Sequence, residues 1–339
     1  MTTATTTESG EVGIALQSAE GTLATNPTYA QPLYSGLPRP VESMNEIEVT
    51  DNSGLLVIGH YKDTQFWEMD LTIPVTPVGH GAYIKSILPT LSTAGTSDPR
   101  THTFTPTGGT ALPPFVTMFA LAPGSQYRKF GDGTVTELVY NFEHGQMLKA
   151  NVKAVGYTPA DIASAYTATT TEVMDSDGPW YTMVGGTFKM DAAATPATTS
   201  VATIRSGALS IAREVELIQT DGFNPEHRAI GRFRVALSAE LLFENYQLFK
   251  NTFYGSTSGT ASSPLVVFGA ADLLFQVGPT TNANRTLQYA LPNIALRVPE
   301  PPDSNPSGGP LVITVAGVSE KPSSGEIITG TYKSSATTF

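Results

Sequence analysis

The sequence predicts a mainly β protein with two tandem antiparallel β-sandwich or barrel domains, each carrying one short helix. Three observations support this fold class: strands with alternating apolar residues recur, turns containing Gly and Pro separate them, and the same order of elements occurs twice. A chain of 339 residues also exceeds what one hydrophobic core usually spans. The expected organisation is an N-terminal arm (1–40), a first domain (41–157), an inter-domain loop (158–205), a second domain (206–320) and a C-terminal tail (321–339).

The N-terminal segment, residues 1–40, is rich in Thr, Ser, Gly and Pro. This composition predicts an extended arm without a core of its own, or a disordered tail. The apolar pairs Ile14/Leu16 and Leu33/Tyr34 favour an arm that docks on something. Because the predicted arm contributes nothing to a hydrophobic core, its deletion is expected to leave soluble monomers or rings that stack poorly.

Residues 61–88 contain the clearest strand and the first helix. Alternate positions from Trp67 are apolar, which predicts a strand with one buried face: Trp67, Met69, Leu71, Ile73 and Val75. The apolar spacing in residues 83–88 predicts one face of a short helix, and Pro89 ends it. If Trp67 and Phe233, on the matching strand of the second half, are both buried, replacing either with Ala should cost ~3–5 kcal/mol.

The rest of the first half predicts further strands. Residues 45–54 form a strand that ends in a turn, a Thr/Pro/Gly-rich segment covers 90–114, and residues 115–120 form another strand. A long hairpin then joins residues 135–142 to 147–155 through a turn at 143–146. On its returning strand Leu148, Ala150, Val152 and Ala154 share one face, while Lys149, Asn151 and Lys153 share the other.

Residues 158–205 are rich in Thr, Ala and Ser, which predicts a long loop between the domains. Within it, Trp180, Tyr181, Met183 and Val184 are apolar enough that part of the loop should pack or pair.

Elements of the first half recur in the second half in the same order. Residues 213–222 echo residues 45–54, because both carry Glu-Ile/Val-Glu-Val/Leu before a polar turn that closes in Gly. The strand at 232–238 matches the strand from Phe66, and aromatic residues at helical spacing near 245–253 match the first helix. The strand at 264–268 and the hairpin formed by 287–298 and 311–317 complete the set. The shared order predicts an internal duplication.

The order strand, strand, short helix, strand and long terminal hairpin resembles the phage tail tube proteins, the major tail proteins of phages with long, non-contractile tails. In the first half the resembling residues are 101–106 and the hairpin at 135–157. In the second half they are 206–211, the strand at 231–237 and the Phe-Glu-Asn-Tyr run at 243–246. The resemblance covers both domains, but the chain departs from the commoner single-domain members in being doubled.

This resemblance implies a structural virion protein and no enzyme. Its subunits would form rings, the rings would stack into a tube, and their sheets would complete a β-barrel around a lumen through which DNA is ejected into the host. Single-domain members form rings of six subunits, so three doubled chains could supply the same six positions, with hexamers as the alternative. Implied partners are other copies of the chain, a tape measure protein, a tail terminator and distal tail proteins. The implied location is the virion tail, assembled in the host cytoplasm.

Composition agrees with such a role. Charged residues make up only 14% of the chain, against roughly 25% in soluble domains, which predicts that much surface is buried against copies of itself. The formal net charge of -11 argues against a surface that grips phosphates, so DNA is expected to pass a net negative lumen without specific binding. No apolar run approaches the ~20 residues that cross a bilayer, and no signal peptide is evident.

The sequence predicts no catalytic, cofactor or metal site. Cysteine is absent, the histidines lack ligand spacing, and there is no phosphate-binding or nucleophile motif. Lys149, Asn151 and Lys153 are the candidate ring or lumen contacts, with an ordinary exposed face as the equal alternative. Two other function classes stay open: a β-rich adhesin or carbohydrate-binding module, and an enzyme with an unfamiliar site on a β scaffold.

Overall fold

The structure is a computed structural model, and it describes most of the chain. The described residues are 11–51, 54–106, 112–122, 126–162, 165–168, 170–171, 180–191, 203–242, 246–256, 258–264, 266, 268–277, 284–298, 311–337 and 339. They form a mainly β molecule with two short helices, as the sequence predicts.

Within the described residues, the first half contains nine strands and one helix. They are β1 (Glu11–Leu16), β2 (Tyr29–Pro32), β3 (Arg39–Asp51), β4 (Gly54–Pro74), α1 (His80–Ile87), β5 (Thr90–Ala94), β6 (Arg100–Thr105), β7 (Val116–Ala122), β8 (Gln126–Glu143) and β9 (Lys149–Ile162). The rest of the described chain adds β10 (Thr170–Thr171), β11 (Tyr181–Asp191), β12 (Thr203–Ile218), β13 (His227–Leu242), α2 (Gln247–Tyr254), β14 (Phe268–Val277), β15 (Thr286–Arg297), β16 (Val312–Ser319) and β17 (Thr329–Ser334).

The strands form one branched sheet that is not closed. One run of neighbours through it is β3–β4–β9–β8–β12–β13–β16–β15–β14–β11. One branch joins β7, β1, β2 and β10 to β8, and another joins β17, β6 and β5 to β15. Among the described strands every pairing is antiparallel apart from that of β2 with β10.

The two halves have the same strand order. It is β3–β4–β9–β8–β7 in the first half and β12–β13–β16–β15–β14 in the second, with α1 following β4 and α2 following β13. The two halves can be aligned residue by residue from one cross-strand pair in each half. Trp67 of β4 pairs with Gly156 of β9, and Leu237 of β13 pairs with Gly317 of β16.

The predicted strand from Trp67 and both predicted helices are confirmed. All five alternating apolar residues from Trp67 to Val75 are buried. Helix α1 begins at His80, three residues earlier than predicted, and ends at Ile87 just before Pro89. Helix α2 ends at Tyr254, and the following Gly255 has the left-handed backbone that commonly terminates a helix. Neither helix has the length and apolar character needed to cross a membrane.

Close packing around Trp67 explains two glycines. A Cβ atom on Gly156 would lie 2.5 Å from Trp67 Nε1, and one on Gly133 would lie 2.4 Å from Trp67 Cζ2. Only glycine therefore leaves room for the indole against β8 and β9. The indole Nε1 donates a hydrogen bond to the Gly131 carbonyl at 2.7 Å, so no polar group is left unsatisfied by the burial.

The expectation that residues 1–40 have no core role is wrong. Strand β1 pairs with both β2 and β7, and Val12 and Ile14 are fully buried. The Gly21 N–H also donates to Asp132 Oδ1 at 2.7 Å, which fastens the following loop to β8. The segment is ordered because it supplies the partner that the edge of β7 needs. Its deletion should therefore damage the core of the first half.

The segments expected as a loop and a tail also contain strands. Strand β11 lies within residues 158–205 and pairs with β14, and Tyr181 and Met183 are buried, which confirms that part of this loop packs. Strand β17 lies within the expected tail at 321–339, where it pairs with β15 on one side and β6 on the other. The tail is thus part of the sheet, and it connects elements of both halves.

A buried chain of hydrogen bonds links α1 to both halves. The Tyr289 hydroxyl of β15 donates to the Tyr140 hydroxyl of β8 at 2.6 Å, and Tyr140 Oη lies 2.7 Å from His80 Nε2. All three side chains are fully buried. Burial lowers the pKa of His80 to about 3, so the ring is neutral. Its Nδ1 has no partner among the described residues, and a second proton on the ring would place a charge in the buried core.

Trp67→Ala is expected to lower the free energy of unfolding by ~3–5 kcal/mol, because it empties a fully buried site. Phe233 provides a matched control. It is only partly buried, with the Arg213 guanidinium 4.9 Å from its ring centre, so the expectation that it is a second buried anchor is wrong. Phe233→Ala should cost roughly 1 kcal/mol. Denaturant unfolding measures both losses, and equal losses would contradict this assignment.

The free energy of unfolding should fall as the pH drops below 6.5. The unfolded chain protonates His80 near its ordinary pKa of 6.5, whereas the folded chain resists protonation down to about 3. In that window one proton costs up to ~1.4 kcal/mol per pH unit. His80→Gln should flatten the pH profile of unfolding. Parallel profiles for His80→Gln and the wild type would overturn this prediction.

Candidate functional site

One sheet surface continues without a break across both halves. Strands β4, β9, β8, β12, β13 and β16 are neighbours in that order, and we call them the central sheet. One side of this sheet is the core: Leu71, Val152, Leu138, Ile211 and Val235 are successive cross-strand neighbours and are fully buried. The alternate residues point to the other side, which we call the polar face.

Strand β8 joins the two halves because it has two partners on one edge. Its first part pairs with β7, and its second part pairs with β12 from Glu137↔Ala212 to Glu143↔Ser206. The register of β8 against β9 shifts between Val135 and Glu137, at the point where the partner changes. The backbone ladder therefore runs from the first half into the second as it does between strands of one domain.

The predicted contact residues of β9 lie together on the polar face. The Lys149 ammonium lies 3.9 Å from the centre of the Tyr34 ring. Asn151 Oδ1 accepts a hydrogen bond from Thr72 Oγ1 of β4 at 3.0 Å. Lys153 is the most exposed of the three. Each side chain is thus held by a neighbour on the same chain.

Lys153 is paired with a carboxylate of the adjacent strand. Its Nζ donates to Glu137 Oε2 at 2.8 Å. This hydrogen bond and the charge of Glu137 raise the pKa of Lys153, and the Asp70 carboxylate adds to the effect. The lysine therefore stays protonated, and its charge is largely neutralised locally.

The two halves contribute different chemistry to the polar face. Its charged residues, within the part of the chain that the structure describes, include Glu68, Asp70, Glu137, Glu143, Glu214, Glu216, Glu240, Lys149, Lys153, Arg232 and Arg234, and carboxylates outnumber cations among them. Most of the charges come from β4, β9 and β8 of the first half. The second half contributes mainly small side chains: Ser206, Ala208, Ser210, Ala212, Ala236, Ser238 and Ala316.

A comparison with protein families matches residues 7–319 to a model described as phage tail tube protein. The chain belongs to this family. The match confirms the resemblance seen in the sequence and covers nearly the whole chain, and a comparison with curated proteins gave no match. As a tail tube protein, the molecule is a structural component of the phage tail, and its family assembles from copies of itself into a tube.

For this tail tube protein, the sequence found the part of the polar face on β9 and missed the part on β12. Residues 206–212 do alternate, with Leu209 and Ile211 buried. However, the residues between them are Ala and Ser, and such small side chains do not clearly indicate in the sequence which face of the strand is exposed to water. The carboxylate partner of Lys153, Glu137, follows a bulge that the period-2 pattern does not predict.

Proposed function

We propose that the protein forms rings that stack into the phage tail tube, the conduit through which DNA is ejected into the host. The observation that carries this proposal is the polar face, because it is continuous across both halves while the other side of the same strands is core. Neighbouring chains that extend the central sheet would close it into a barrel with the polar face inside. Closure would also remove the unpaired sheet edges that a single chain exposes.

The chemistry of the polar face suits a conduit that does not hold DNA. Phosphate binding requires cations that are free to replace counterions. Lys149 lies against Tyr34, and Lys153 is paired with Glu137. With carboxylates in excess, the lumen would repel phosphates. Its small Ser and Ala side chains would project little from the wall toward a passing duplex. Lys149, Asn151 and Lys153 would then be lumen residues.

We further propose a ring of three chains. Both halves have the strand order of one domain, and each contributes part of the central sheet, which supports an internal duplication. Three such chains would supply six pseudo-equivalent positions under closed cyclic symmetry. A ring of six chains is the alternative. Contacts with a tape measure protein, a tail terminator and distal tail proteins follow from the role of the tube in the tail.

The mass of isolated rings tests the three-chain proposal. Purified protein should assemble into rings and tubes visible by negative-stain microscopy, and native mass measurement of the rings should give three chains. Six chains would show that each chain occupies a single ring position. Failure of the wild type to form any ring or tube would overturn the proposed function itself.

Assembled wild-type rings and tubes should bind duplex DNA weakly or not at all at low salt. Asp70→Lys combined with Glu137→Lys reverses two charges on the polar face and should create binding that weakens steeply as salt rises. A variant with Asp221→Lys and Glu320→Lys makes the same charge change at exposed positions outside the strands of the central sheet and should behave as the wild type. Tight, salt-sensitive binding by wild-type tubes would contradict a repelling lumen.

A further inference from the structure

The outer part of the β12–β13 hairpin, residues 213–231, docks on the first half of its own chain; we call it the second hairpin. Arg228 provides the main contact. Its Nη2 donates to the Pro113 carbonyl at 2.6 Å, its Nη1 donates to Thr134 Oγ1, and its guanidinium lies 3.5 Å from the centre of the Phe115 ring. The cation thus covers an aromatic residue at the start of β7 and a polar group on β8.

Beyond Arg228, the turn that follows β12 also contacts strand β4 of the first half. Gln219 Nε2 donates to the Asp63 carbonyl at 2.9 Å, and the Gln65 N–H donates to the Phe223 carbonyl at 3.3 Å. The junction between the halves within one chain therefore has two parts, the β8–β12 ladder and this docked hairpin.

The second half has a surface that corresponds to the docking site on the first half. Gly133 pairs with Gly156 in the first half, and Leu296 pairs with Gly317 in the second. Thr134 in β8 and Arg297 in β15, which follow these residues, are therefore equivalent to each other.

The residue that corresponds to Phe115 is exposed. Phe115 directly precedes β7, whose Val116 pairs with Gly133, and by the same register it is matched by Val266, ahead of β14. Val266 is 64% exposed, whereas Phe115 is covered by Arg228. Arg297, the counterpart of Thr134, lines a groove together with Phe253, Leu296 and Val298, and Phe253 is 49% exposed. We call Val266 and this groove the receiving surface.

The outer part of the β3–β4 hairpin, residues 42–62, is the counterpart of the second hairpin, and we call it the first hairpin. It exposes several large apolar side chains: Met44 (61%), Ile47 (42%), Val57 (50%) and Tyr61 (52%). Single exposed apolar residues are common, but four on one hairpin are typical of a protein contact. Glu42, Glu46 and Glu48 also outnumber Lys62 there, so the hairpin is acidic.

The cation lies on opposite sides of the two contacts. Within the chain, the hairpin brings the cation Arg228 to the first half, beside a groove lined by Glu20, Asp132 and the hairpin's own Glu226. On the other pair of surfaces the hairpin carries carboxylates such as Glu48, and the receiving surface carries the cation Arg297. A first hairpin has no arginine and could not make the contacts of Arg228 on a first half, whereas its carboxylates would be attracted to Arg297 of a second half.

We propose that the first hairpin of one chain docks on the receiving surface of a second copy of the same chain, as the second hairpin docks within the chain. The contact is head to tail: each chain gives its first hairpin to one neighbour and receives a hairpin from another. The proposal rests on the proposed function, since it names the contact that joins chains within a ring. Because the contact joins the first half of one chain to the second half of the next, first-half and second-half positions alternate around that ring.

Two variants, each blocked on one side of this contact, test the proposal. The first carries Ile47→Asp and Val57→Asp on the first hairpin, and the second carries Val266→Asp and Arg297→Glu on the receiving surface. All four positions are exposed, so thermal melting should show that both variants fold as the wild type does. Ile218→Asp, an equally exposed apolar residue of the second hairpin, is the matched control and should form rings as the wild type does.

Each blocked variant alone should stay monomeric in light-scattering mass measurements. Mixed in equal amounts, they should form a one-to-one dimer and no rings, because one intact hairpin meets one intact receiving surface. Rings formed by either variant alone would overturn the proposal, and so would a mixture that stays monomeric. Wild-type rings alongside either of those results would leave the proposed function standing, whereas a wild type that never assembles would overturn that function instead.

Discussion

The arrangement of the molecule depends on the two partners that β8 takes along one edge. Because its first part is occupied by β7, only the part from Glu137 onward is open to β12. That division makes the second half continue the central sheet of the first half in register. The core side of the central sheet and the polar face therefore run through both halves, and no separate interface between two domains is needed. The buried Tyr140–Tyr289 hydrogen bond fixes the same relation on the core side.

A junction of this kind within one chain provides a pattern for junctions between chains. Backbone pairing is insensitive to side-chain identity, so a ladder alone would let any copy add to any exposed edge. The docked hairpin supplies the missing selectivity, since its side chains must match the surface beneath. In this chain the match is made by Arg228 at the internal junction and, in our proposal, by apolar residues and Arg297 at the external one.

Local patterns in the sequence predict the parts of the fold in which each strand has one buried face. The strand from Trp67, the β8–β9 hairpin and both short helices follow directly from such periodicity. Strands β1 and β17 are missed because they are short and gain their stability from distant partners: β7 for the first, β6 and β15 for the second. The polar face is predicted only on β9, because neither Ser/Ala alternation nor the bulge before Glu137 gives a clear local signal.

The two hairpins carry different side chains, and there is a physical reason for this difference when both halves belong to one chain. Identical copies in a ring must use the same surface for every contact, so a single sequence has to serve all junctions equally. A doubled chain has two kinds of junction, and only the external one must form between separate molecules. The internal hairpin can bury a cation such as Arg228 permanently, because its partner is always present. In the proposed contact the external hairpin has to remain soluble before assembly, and the carboxylates near its exposed apolar residues would keep it so until it meets a surface with Arg297.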